Sequence, residues 1–135
     1  MDVSTDGNDL AHAILRGGVD KYGTTIPNYH YEDIWRLSKM YKEKNLKNPA
    51  VIVDANHSNS NKQYHEQLRI VGEVLHTRKY NAELRNLIKG VMVESYLVEG
   101  RQDIGSHMTY GQSITDPCIG WEDTVRLIDK IAEDC

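Results

Sequence analysis

His57 and Glu94 stand at the polar ends of short apolar runs in this 135-residue chain, and Asp116 lies in a loop further on. One imidazole and two carboxylates form the donor set that takes a divalent first-row transition metal, provided the chain brings them together. Each residue also has an ordinary structural explanation: a capping or solvated histidine, an acid paired with a lysine, a turn at Asp116-Pro117. Long-range spacing does not choose between these readings. Glu94 is the sharpest anomaly, because it continues the run Val91-Met92-Val93 and an unpaired carboxylate in an apolar strand is costly. A metal or a lysine is expected beside it. Asp54 sits at the same depth on the run before His57, where it can orient the imidazole or exchange protons with solvent, which makes His57 and Asp54 a candidate catalytic pair. A buried salt bridge is the alternative. Arg16-Gly17-Gly18 suits a phosphate or carboxylate, since the guanidinium is a planar fork of donors and glycine lets backbone N–H groups approach an anion. A surface arginine in a glycine turn is the bland reading.

Three apolar runs must position these groups: residues 12–18, 50–56 and 90–95. They are short, rich in β-branched residues and continuous rather than alternating, the pattern of strands buried on both faces of a parallel sheet. Between and after them the spacing turns helical. Tyr31, Ile34, Trp35 and Tyr41 share a face, with Pro49 expected to stop that helix. Leu68, Val71, Val74 and Leu75 form a second stripe, and Val125, Ile128, Ile131 and Ala132 a third, with Glu122 and Asp123 near its start. Residues 80–87 either extend the second helix or form a short extra one, and Asn59, Ser60 and Asn61 resemble an N-cap before the second helix. The alternation predicts right-handed β-α-β crossovers and an α/β fold, an open sheet or part of a (β/α)8 barrel. In both, functional groups collect beyond the C-terminal ends of the strands.

The net charge of −4, with both signs scattered, suggests neither nucleic acid nor an anionic membrane as partner. No apolar run is long enough to span a bilayer and the first residues are acidic rather than basic, which predicts a cytoplasmic protein. Cys118 and Cys135 lie in no C-x-x-C pattern, so reduced thiols are expected. No phosphate-binding loop, dinucleotide fingerprint or nucleophile elbow is present.

Four stretches give the sequence a resemblance: residues 14–18, 54–60, 90–100 (Gly-Val-Met-Val-Glu-Ser-Tyr-Leu-Val-Glu-Gly) and 111–123 (Gly-Gln-Ser-Ile-Thr-Asp-Pro-Cys-Ile-Gly-Trp-Glu-Asp). In order, they resemble the last three strand-end motifs of class I 3-deoxy-7-phosphoheptulonate synthases. The likeness runs over nearly the whole chain, and the last two stretches separate it from the octulosonate 8-phosphate synthases, which share only the barrel and the histidine and glutamate positions. The resemblance implies a transferase of the shikimate pathway that condenses phosphoenolpyruvate with erythrose 4-phosphate and needs a divalent metal of the Mn, Fe, Co or Zn class. It implies that Arg16, with His57 beside it, contacts phosphoenolpyruvate and that His57, Glu94 and Asp116 are metal ligands.

The chain also departs from that family's pattern. A fourth metal ligand, a cysteine on an early strand, and a Lys-Pro-Arg-Thr segment for erythrose 4-phosphate do not occur in it, nor do the further arginine and lysine contacts to phosphoenolpyruvate. The resemblance therefore implies the C-terminal half of the enzyme, with residues 1–135 a single partial domain holding strands six to eight of a TIM (β/α)8 barrel. A separate N-terminal half or a homo-oligomer is the expected partner, with Cys118 a candidate stand-in for the absent thiolate. The alternative is a non-catalytic remnant with residual metal or phosphate binding.

Overall fold

A computed structural model describes residues 2–135. In chain order the elements are β1 (Ala13–Leu15), β2 (Gly18–Val19), β3 (Thr25–Ile26), α1 (Tyr31–Glu43), β4 (Val51–Asp54), α2 (Glu66–Tyr80), α3 (Ala82–Leu87), β5 (Ile88–Met92), β6 (Val98–Arg101), β7 (Gln112–Ser113) and α4 (Trp121–Asp134). The three apolar runs form one parallel sheet in the order β1-β4-β5, with Ile14 opposite Ile52 and Ile52 opposite Gly90. Parallel neighbours need long crossovers, and α1 and then α2 with α3 supply them.

Side chains alternate across a strand, so this register divides the sheet into two faces. Val51 and Val53 point toward the helices and are fully buried with Ile34, Ile70, Val71 and Val74. Each such side chain taken out of water contributes about 1.5–3 kcal/mol. The opposite face is open: Ile14 is 46% exposed and Met92 40%. Gly90 leaves room for Ile52 there: a Cβ would lie 3.3 Å from the Ile52 Cδ1 atom, a tight contact that the Ile52 side chain would have to yield to.

Several sequence expectations are corrected. The third strand starts at Ile88 and ends at Met92, so Glu94 follows the strand instead of lying inside it. A small antiparallel pair, β2-β3, interrupts the first crossover, and β6 pairs with β7 beyond the main sheet. Pro49 does not stop α1. Asn45 does, at φ 47°, with its N–H donating to Lys42 O and the Leu46 N–H to Tyr41 O, the paired bonds of a left-handed helix terminus. Tyr41 then uses its hydroxyl to join the bases of two strands, donating to Ala50 O at 2.7 Å and accepting from the Ala13 N–H at 3.0 Å.

The segment 80–87 breaks rather than extends α2: Asn81 is extended, and its side chain caps α3 by accepting from the Glu83 and Leu84 N–H groups. The face of α4 is rotated from the expected stripe. Leu127 is buried and Ile131 partly so, whereas Val125 and Ile128 are exposed. With Trp121 they make a second apolar stripe at helical spacing that the described residues leave uncovered. Among the described residues no helix is long and apolar enough to cross a membrane.

Candidate metal centre

Asp54 closes β4 with its side chain 2% exposed. Its two oxygens are both engaged: Oδ1 accepts the Asn56 N–H at 2.8 Å and Oδ2 faces His57 Nδ1 at 2.7 Å. A carboxylate only accepts, so Nδ1 carries the proton, and in the neutral ring that a metal ligand requires the lone pair lies on Nε2. The His57 backbone takes a left-handed φ of 40° to make this turn, an uncommon conformation for a residue other than glycine. The carboxylate sets both the tautomer and the direction of the ring, as the outer partner of a metal-binding histidine does.

Nε2 points at two more carboxylates, 3.3 Å from Glu94 Oε1 and 3.5 Å from Asp116 Oδ2. Donor atoms of His57, Glu94 and Asp116 all lie within 4.8 Å of one another. Two carboxylates and the Nε2 of a neutral imidazole converging on one point are a nitrogen and oxygen donor set that favours a cation between them, so the group fits a divalent ion. Glu94 is held from behind by Gln67, a fully buried amide on α2. The Glu94 N–H donates to Gln67 Oε1 at 2.8 Å, and Gln67 Nε2 donates to Glu94 O at 3.1 Å.

Arg16 lines an adjoining cleft of about 510 Å³ together with Gly17, His57, Lys62 and Asp116. Gly17 does not offer its N–H to an anion, contrary to the sequence expectation, because Asn28 Oδ1 accepts that N–H at 2.7 Å. Its glycine is needed for packing: φ is 71°, and a Cβ would stand 2.8 Å from Ser58 Cβ and 2.9 Å from the Asn59 backbone nitrogen. Asn59 is not a helix cap either, since α2 begins only at Glu66. Its amide donates to Leu15 O and Asp54 O and accepts from the Asn28 N–H, tying the arginine turn to the histidine turn.

Cys118 is buried and stands outside the donor group, its thiol donating to Asp116 O at 3.5 Å. Burial pushes this thiol above the usual cysteine range, with further upward pressure from the Glu94 and Asp116 charges. The idea of Cys118 as a stand-in ligand finds no geometric support. Lys62, Gln67 and Asn28 were missed in the sequence, although the proximity of Lys62 to His57 in the chain was a usable signal.

Residues 1–129 match a family model described as the DAHP synthetase I family. The chain belongs to that family. Its relatives include the phospho-2-dehydro-3-deoxyheptonate aldolase of Haemophilus influenzae, 47% identical over 97% of this chain and 34% of the relative. The Trp-sensitive aldolase of the same name from Escherichia coli K12 is 43% identical over 95% of this chain and 34% of its own length. A solved phospho-2-dehydro-3-deoxyheptonate aldolase from Francisella tularensis superposes with a TM-score of 0.82 at 37% identity, covering 96% of this chain and 36% of that one. The chain thus spans about a third of the length of the family members it matches. The resemblance read from residues 14–18, 54–60, 90–100 and 111–123 is borne out at the level of the family.

Proposed function

We propose that this chain forms strands six to eight, with their helices, of a (β/α)8 barrel acting as a 3-deoxy-7-phosphoheptulonate synthase. In this reading residues 1–135 are one partial domain. The reaction joins C3 of phosphoenolpyruvate to the aldehyde carbon of erythrose 4-phosphate, and water then displaces phosphate. The observation that carries the reading is the convergence of His57, Glu94 and Asp116 at the strand ends, in a chain whose relatives are named for heptonate chemistry.

His57, Glu94 and Asp116 would hold the divalent metal, of the Mn, Fe, Co or Zn class. When bound, the metal supplies polarisation of a substrate oxygen. The chain's own residues do the rest of its share. Asp54 keeps the proton on Nδ1 and the imidazole aimed inward, while Arg16 lays its planar donors against the phosphate of phosphoenolpyruvate. Three protein donors leave coordination positions open, and the two-thirds of the relatives' length outside this match would supply further ligands and the erythrose 4-phosphate seat, either as a separate N-terminal half or through an oligomer. Free thiols at Cys118 and Cys135 suit a cytoplasmic setting.

A non-catalytic remnant that binds metal or phosphate is the second reading, favoured by a donor group of three, beside one arginine, among the described residues. One assay separates the two. The chain alone, given manganese, phosphoenolpyruvate and erythrose 4-phosphate, is expected to release no phosphate. Mixed with a polypeptide supplying the remaining length of the Haemophilus relative, it is expected to release phosphate, and His57→Ala is expected to abolish that release. Failure of every combination refutes the synthase reading, and release by the chain alone refutes the need for a complement.

A further inference from the structure

Lys62 touches both halves of the site. Its Nζ donates to Asp116 Oδ1 at 3.1 Å while the other oxygen of that carboxylate faces His57, and the side chain is 65% exposed. It also lines the cleft that contains Arg16, where these two are the cationic side chains among the lining residues. Its backbone is unusual. Asn61 and Lys62 take consecutive left-handed φ values of 51° and 58°, a conformation that is rare for a non-glycine residue and clusters at functional sites. The turn is fixed by the Lys62 N–H donating to His57 O at 2.9 Å and by Thr25 Oγ1 donating to Asn61 Oδ1 at 2.9 Å. Lysine is a point charge on a flexible four-carbon stem, so with this backbone held, its ammonium can turn from Asp116 into the cleft.

We infer that Lys62 is an exchangeable counter-cation that couples the metal centre to the phosphate cleft. It neutralises Asp116 while no metal is bound; a divalent cation taking that carboxylate releases it toward Arg16, where the two form a seat for a phosphate group. This rests on the metal reading above. An exposed lysine–carboxylate pair is weak, in the range where a divalent ion displaces it readily. The displaced ammonium then has an unpaired charge facing an anion site, and a charge-assisted hydrogen bond to phosphate is stronger than a neutral one.

The test uses Mn²⁺ and inorganic phosphate as separate probes on the chain and its Lys62→Gln and Lys62→Arg variants, with folding checked by far-UV circular dichroism. Lys62→Gln is expected to bind Mn²⁺ about 2–5-fold more tightly, the scale of a surface ion pair, because a competitor is gone. In the Mn²⁺-loaded state it is expected to bind phosphate about tenfold more weakly, and Lys62→Arg is expected to retain phosphate binding. A structural role for Lys62 would weaken both probes together. The coupling is overturned if Lys62→Gln binds Mn²⁺ as tightly as the wild type or less tightly, or if loaded phosphate affinity is unchanged. Absence of saturable Mn²⁺ binding in the wild type overturns the metal reading itself, and the coupling with it. Binding that responds to His57→Ala but not to Lys62→Gln overturns the coupling alone.

Discussion

Asp54→Asn replaces one carboxylate oxygen with an NH₂ group in a site where both oxygens accept, one from the Asn56 N–H and one from His57 Nδ1. If the NH₂ faces His57, the imidazole must move its proton to Nε2, which then presents a donor to Glu94 and Asp116 where a lone pair stood. If it faces Asn56, two buried donors oppose each other, at a cost of about 1–3 kcal/mol. Among the described residues no buried side-chain nitrogen or oxygen lacks a partner in the wild type, so the substitution introduces a defect where there was none. Loss of such an outer partner typically costs about 10–100-fold in metal affinity, which corresponds to about 1.4–2.7 kcal/mol. Manganese titration followed by electron paramagnetic resonance measures the first effect, and urea unfolding of metal-free protein the second. In a His57→Ala background, Asp54→Asn should change metal affinity no further. Stability that falls while manganese affinity stays at the wild-type level would refute the assignment of Asp54 to orienting His57.

Two further predictions concern the frame around the site. Gln67→Leu leaves the Glu94 N–H without its acceptor, while Glu94 O keeps the Ile119 N–H at 3.0 Å; a loss of about 1–3 kcal/mol is expected from the one orphaned backbone group, read as a lowered urea midpoint together with weaker manganese binding. At the surface, the Lys42 ammonium, followed by the Ser38 hydroxyl, holds Glu83 below its ordinary range. A depressed carboxylate contributes stability above its unfolded value and loses it as pH falls through the folded one. The stability difference between wild type and Glu83→Gln should therefore narrow on acidification below about pH 4.5, as pH-dependent urea unfolding will show; a constant difference would remove Glu83 from the acid response.

The strands and the residues of the candidate donor group were legible because both depend on local pattern. Continuous β-branched runs ending in polar residues announce buried parallel strands, and Arg16, His57 and Glu94 stand at or just past the polar ends of those runs. What sequence could not give was rotation and closure. The apolar positions of α4 satisfy a helical period on two overlapping faces, and only packing decides that Leu127 rather than Val125 goes inward. Lys62 and Gln67 escaped notice for a related reason: their partners, Asp116 and Glu94, are 54 and 27 residues away in the chain. Asn59 was misread as a cap because asparagine serves turns and caps alike, and here its amide spans two strand ends.

The distribution of supports shows which part of the site is self-contained. Asp54 aims His57, Gln67 holds the Glu94 backbone, and Asn28 with Asn59 locks the arginine turn onto the histidine turn. Every one of these supports lies within the chain, so the candidate donors His57 and Glu94 and the turn that carries Arg16 are positioned by its own residues. The apolar residues show the opposite. Ile14 and Met92 on the sheet, and Trp121, Val125 and Ile128 on α4, leave greasy surface in water, which a stable monomer rarely tolerates in contiguous patches. Candidate donors held from within, beside an uncovered sheet face and helix stripe, fit the proposal of a segment that packs against further structure. It follows that covering these surfaces should raise stability far more than it alters the geometry around His57.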